Sequence, residues 1–237
     1  MNNKKNKIDI LFIGAHSDDV DVVIGGTVIL LKEKGFKVEI LDLIERKNMY
    51  FSEEEKRNQE TKSATNLLGV KRYNMNLGLL KLENNYKNRV KIANFIRKKQ
   101  PDIVITLNKD ENHPDHNIAY QLILDSLHFS FSSAIKTKYE PWRVKKVYFY
   151  PLDVFYKIPS GNLVFIDISN TFKKKMEVIK SYASQFLYNW YNKKYKLEFI
   201  ETFNRYLGLL IKKDYAEILI SDTPTLDDFI KSLSSNG

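Results

Sequence analysis

The chain has 237 residues, 43% of them hydrophobic, and a net charge of +9 from 38 Lys+Arg against 29 Asp+Glu. That length supports one substantial core without requiring two. Cysteine is absent, which excludes disulfides, thiolate metal sites and cysteine nucleophiles, so any metal must be held by His, Asp or Glu.

No run of about 18 apolar residues occurs, so no membrane-spanning helix is expected. The basic start is followed by a short apolar run, Ile8 to Ala15, broken by Asp9. It does not read as a secretory leader, and the expectation is a cytoplasmic protein. Lysines fall in scattered pairs and triplets such as Lys98-Lys99 and Lys173-Lys174-Lys175. No nucleic-acid module surrounds them, and they read as solvated surface.

In chain order, Ile8 to Gly14 reads as a buried strand and Val22 to Lys34 as a helix closed by Gly35. Lys37 to Ile44 is the next strand. Glu53 to Leu68 is a helix closed by Gly69, and Val70 to Asn76 a short strand. Tyr86 to Gln100 is a helix stopped by Pro101, which lacks an N–H and clashes backward. Asp102 to Leu107 is a strand rich in β-branched residues, Asp115 to Phe129 a helix, and Val144 to Tyr150 a strand. Val164 to Ile168 is one more strand and Asn170 to Ser184 a helix. An aromatic-rich stretch follows from Ser184 to Glu201, then a helix from Phe199 to Lys212. The tail from Ser221 reads as loosely ordered.

This alternation predicts a single α/β domain: a mostly parallel sheet with helices on both faces. A core over about residues 8–150 carries a strand-and-helix extension over about 151–220. Such sheets bind ligands beyond the carboxyl ends of their strands. Two clusters fall there, His16-Ser17-Asp18-Asp19 and His113-Pro114-Asp115-His116. Three of the four histidines of the chain lie in them. The fourth, His128, reads as a core or rim residue.

Two histidines and one carboxylate suffice to hold a catalytic Zn²⁺ or Fe²⁺ with positions left open. Such an ion lowers the pKa of water and polarises a carbonyl. A nearby carboxylate must then take a proton, and a second group must supply one to the leaving amine. Asp18 and the spare histidine suit those roles. Gly25-Gly26 is not a dinucleotide fingerprint, because those glycines arrive inside the helix rather than opening it. They read as permitting close helix-to-sheet packing. Neither a phosphate-binding P-loop nor a G-x-S-x-G elbow is present.

The run Gly14-Ala15-His16-Ser17-Asp18-Asp19, then Gly25-Gly26, then His113-Pro114-Asp115-His116 resembles the LmbE-like or PIG-L de-N-acetylases. The resemblance extends over most of the chain. It includes Arg57-x-x-Glu60, Pro141-Trp142-Arg143, Tyr182-x-Ser184-Gln185-Phe186, Gly208 and Tyr215-Ala216-Glu217, and is nearest the bacterial branch that contains bacillithiol-pathway deacetylases. It implies a Rossmann-like fold, zinc, and removal of an acetyl group from an N-acetylglucosaminyl compound. Carried over by position, His16, Asp19 and His116 are zinc ligands and Asp18 the general base. His113 stabilises the oxyanion or protonates the amine, and Asp115 orients His113 or tunes its pKa. Arg57 and Arg143 recognise substrate, and the chain forms a homo-oligomer.

The chain departs from the family pattern at Ser17, at Val20-Asp21, and in the segments 45–50 and 77–80 after two strands. The substrate class therefore stays open among amino sugars, anionic conjugates included. The alternatives are a sugar-binding protein without catalysis and a related metallohydrolase acting on another N-acyl group.

Overall fold

The computed structural model describes residues 7–45, 51–109, 111–152, 161–186 and 193–221. Its first half alternates β1 (Ile10–Gly14), α1 (Asp19–Glu33), β2 (Val38–Asp42), α2 (Phe51–Leu68), β3 (Lys71–Asn74), α3 (Tyr86–Lys99), β4 (Ile103–Leu107), α4 (Pro114–Phe131) and β5 (Lys146–Tyr150). There follow β6 (Asn162–Asp167), α5 (Phe172–Lys180), α6 (Ala183–Phe186), α7 (Lys193–Leu210) and β7 (Ala216–Ser221).

The strands form one sheet in the order β3-β2-β1-β4-β5-β7-β6. The first five in that order pair in parallel, and β7 runs antiparallel to both β5 and β6. Every residue of β1, β2 and β4 is buried, as expected of strands covered on both faces. The chain winds from β1 outward to β3, then crosses back to β4. Right-handed crossovers in opposite directions place their helices on opposite faces. In agreement, α1, α2 and α5 pack on one another, while α3 and α4 pack together. The reversal falls between β1 and β4, so a crevice opens there at the carboxyl edge.

The helix ends follow local chemistry. The Asn85 side chain accepts the N–H of Asn88 to cap α3, and Gln100 closes it in a left-handed conformation just before Pro101. At α4, Pro114 occupies the first turn and His113 is the N-cap. Helix α1 begins three residues before the sequence expectation, at Asp19, and is broken at Ile24 (φ −129°, ψ 23°). The helix expected over Asn170 to Ser184 is split into α5 and α6.

The strand β7 is absent from the sequence expectations. It inserts between β5 and β6, so the C-terminal extension completes the same sheet. Gly208 lets α7 pass close to the chain entering β7, since a Cβ there would lie 2.7 Å from Asp214 main-chain atoms. No described helix is long and apolar enough to cross a membrane. Residues 46–50 of the atypical first segment, the aromatic stretch at 187–192 and the tail beyond Ser221 lie outside the described residues.

Candidate metal centre

The two clusters meet in the crevice between β1 and β4. His16 follows β1 by two residues and is fully buried. Its main-chain N–H donates to Asp19 Oδ2 at 2.8 Å, which closes the turn into α1 and leaves Oδ1 turned to the imidazoles. His16 Nδ1 lies 3.2 Å from His116 Nε2, and Asp19 Oδ1 lies 3.7 Å from His16 Nδ1 and 3.5 Å from His116 Nε2. One oxygen and two ring nitrogens thus form a small triangle, buried on all three residues. Burial raises the Asp19 carboxyl, but His16 and His116 outweigh it and hold the group well below the usual carboxylate range.

The triangle fits an ion. Ligands about 2.0–2.1 Å from a tetrahedral zinc are separated from one another by about 3.3–3.4 Å. The observed 3.2, 3.5 and 3.7 Å bracket that spacing.

Supporting contacts fix each ring. The Asp115 carboxylate lies 3.2 Å from His16 Nε2 and accepts the main-chain N–H of Leu80 at 3.1 Å. The Asp115 carboxylate therefore meets His16 and also lies within 4.8 Å of a His113 ring nitrogen. A second link to His113 runs through the main chain, where the Asp115 N–H donates to His113 Nδ1 at 3.1 Å. The cause is helical geometry, because a cap accepts from the N–H two residues on. The neutral His113 ring therefore carries its proton on Nε2. His113 stands edge-on to His16, ring centroids 5.0 Å apart.

Asp18 occupies the N-cap position of α1, yet its side chain makes no capping bond. It lines a cavity of about 300 Å³ that runs along the ends of β2 and β3 to α2, the low end of the range for small-molecule sites. Arg57 lines the same cavity. Its companion Glu60 is structural: it accepts the N–H and hydroxyl of Ser184 at 2.7 and 2.6 Å, tying α2 to α6.

Arg143 is not brought to this place. It precedes β5 at the amino edge of the parallel strands, its guanidinium 4.6 Å from the Phe131 ring centroid. Phe131 ends α4, and His113 caps the other end of that 18-residue helix, about 27 Å away at 1.5 Å per residue. His128 is an exposed rim residue, edge-on to Phe131 at 4.8 Å.

Sequence reasoning missed the buried cluster beneath the cavity. Arg72 forks onto both Asp21 oxygens at 2.5 and 3.0 Å and reaches Asp42 through Nε at 3.2 Å. Tyr182 joins through its hydroxyl, 2.5 Å from Asp21 Oδ2 and 2.8 Å from the Ser17 carbonyl. Two carboxylates share one guanidinium here, and burial pushes Asp42 up to about 8 despite Arg72. The cluster's signals in the sequence were the acid at position 21 and Tyr182, both met in the comparison with the family pattern but not joined to Arg72.

A doubly wound sheet with a buried His₂-Asp triangle at its switch point defines an α/β protein with a candidate metal site. Residues 11–127 match the family of GlcNAc-PI de-N-acetylases, PIG-L. It is 28% identical over 194 residues to the diacetylchitobiose deacetylase of Thermococcus kodakarensis, covering 75% of this chain and 70% of that one. Among solved structures it resembles the conserved protein TT1542 from Thermus thermophilus (TM-score 0.82, 27% identity, 92% and 96% of the two chains). It also resembles GalB, the 4-carboxy-2-hydroxymuconate hydratase of Pseudomonas putida (TM-score 0.74, 20% identity, 92% and 98%). The last likeness concerns the fold alone, and its different chemistry means that the reaction must be argued from the site.

Proposed function

We propose that this protein is a zinc-dependent hydrolase that removes an N-acetyl group from an amino sugar. The observation that carries the reading is the triangle of His16 Nδ1, Asp19 Oδ1 and His116 Nε2, with Asp18 beside it in the sequence and lining the adjoining cavity. The deacetylase relative supports the same class. A His₂-Asp set with open positions suits Zn²⁺ and Fe²⁺ alike, and the resemblance to zinc deacetylases is what favours zinc.

When bound, zinc would supply an acidified water and a Lewis acid for the amide carbonyl. The residues supply the rest. Asp18, the carboxylate beside the ligand Asp19, takes the proton of the attacking water and passes it to the departing nitrogen. His113, neutral with its proton on Nε2, donates a hydrogen bond to the developing oxyanion. Asp115 holds His16 so that Nδ1 is the nitrogen offered to the metal.

The cavity argues for the substrate class. Asn58, Thr61, Thr65, Asn66 and Asn74 line it, and amides and hydroxyls suit the hydroxyls of a sugar ring. With Asp42 raised to about 8, the ionised carboxylates of the lining (Asp18, Glu45, Glu60) match its cations (Arg57, Lys62, Arg72) in number. Neutral and anionic amino sugars both belong in the test below.

The test is release of free amine from N-acetylglucosamine, its short oligomers and glycosides, assayed with protein stripped of metal and then reloaded with zinc. Zinc-restored amine release is expected. Metal binding without amine release from any of them would instead favour a binding protein.

A further inference from the structure

The break in α1 has a specific cause. In an unbroken helix the Thr27 N–H donates to the Val23 carbonyl. Here the Thr27 N–H and hydroxyl donate to Glu217 Oε2 at 2.7 and 2.5 Å, and the Gly26 N–H donates to Glu217 Oε1 at 2.9 Å. The Val23 carbonyl receives Lys175 Nζ instead, at 3.1 Å. Lys175 and Glu217 pair at 2.7 Å and are 1% and 0% exposed. One ion pair, drawn from α5 and β7, is thus inserted at two successive rungs of the helix, those of the Gly26 and Thr27 N–H groups. Side chains entering the i→i−4 ladder are a recognised cause of kinks. Gly26 makes the approach feasible, since a Cβ there would stand 2.8 Å from Ile168 Cδ1 and 3.0 Å from Glu217 Oε1.

The break isolates Asp19 to Val23 as a separate turn. That turn carries Asp19 and follows Asp18. It is anchored on one side by Asp21, through Arg72 and Tyr182, and at its end by Lys175 on Val23. General stability is a poor reason for such a pair, because buried ion pairs are often no better than apolar residues of the same size. Orientation of the turn is a sufficient one.

Resting on the zinc reading above, we propose that Lys175 and Glu217 are positioning residues that hold α1 open at Val23–Thr27 and so aim Asp18 and Asp19 at the metal site. Without the pair, the Thr27 N–H can return to the Val23 carbonyl, α1 straightens, and the Asp18–Asp19 turn is displaced.

The experiment compares zinc affinity, by competition with a chromophoric chelator, and unfolding temperature of the metal-free protein. Lys175→Met with Glu217→Leu removes both charges together, so neither is left buried alone. The control is Lys99→Met with Glu39→Leu, at a buried pair linking α3 to β2 (2.6 Å). The positioning variant is expected to lose zinc affinity by about tenfold or more, the scale of outer ligand supports. The control should stay near wild type at a similar loss of unfolding temperature. If the first variant does not fold, Lys175→Met with Glu217→Met, which also removes the acceptor for Thr27 but keeps more side-chain volume, is read the same way. Zinc affinity equal to that of the control overturns the positioning role. A wild-type chain that binds no zinc overturns the metal reading itself, which is a separate result.

Discussion

Asp115 and His16 meet across the crevice, carboxylate to Nε2 at 3.2 Å, on the ring edge opposite the nitrogen that faces His116. On the zinc reading, this contact leaves His16 Nδ1 as the nitrogen offered to the metal. Asp115→Ala is predicted to weaken zinc binding by about 10–100-fold, the usual effect of removing such a partner. Chelator competition measures it. Unchanged affinity would mean that Asp115 does not set the ligand.

His113 is predicted to act through a donor hydrogen bond. His113→Ala should lower kcat by about 10²–10³-fold, the scale for losing one oxyanion donor. Bound zinc should remain near one per chain and KM should change little. Loss of the metal with the ring would place His113 among the ligands instead.

Asp42 makes a pH-dependent prediction for the metal-free protein. Its carboxyl is raised to about 8 by burial, against about 4 in an unfolded chain. The folded state therefore holds a proton that the unfolded state has released between those values. Stability must fall as pH rises through that window, and stay at its lower level above it. Asp42→Asn removes this fall. The variant should gain on the order of 1–3 kcal/mol over wild type at pH 9, with a smaller gap at pH 5. Urea titrations at the two pH values provide the comparison, and parallel curves would contradict it.

Gly26→Ala should destabilise the protein by about 1–3 kcal/mol through overpacking, because its Cβ would meet Ile168 and Glu217 at 2.8 and 3.0 Å. Gly25→Ala is the contrast, with only Lys175 Cγ in ordinary contact at 3.6 Å. Unfolding temperatures of the two variants test the difference.

Much of the site was legible because its parts are contiguous. Each cluster is a single strand-to-helix turn, and parallel strands bring such turns to one edge whatever the loops do. What escaped depends on distance along the chain or on side-chain direction. Asp115 sits two residues from His113, which suggests a local partnership, but its carboxylate turns to His16, 99 residues away. Lys175 and Glu217 come from separate elements, and the rungs they enter lie in a third. The short strand β7 carries Glu217 in its apolar run, where Lys175 and the α1 amides surround it. Arg143 looked like a site residue from its motif, yet the direction of β5 puts it at the opposite edge.

The most direct test of the central claim is Asp18→Ala, measured for zinc content and for amine release on a substrate the wild type accepts. The account predicts bound zinc at the wild-type level and the loss of nearly all turnover, because Asp18 moves the proton while His16, Asp19 and His116 hold the ion. Near wild-type turnover in that variant would contradict it.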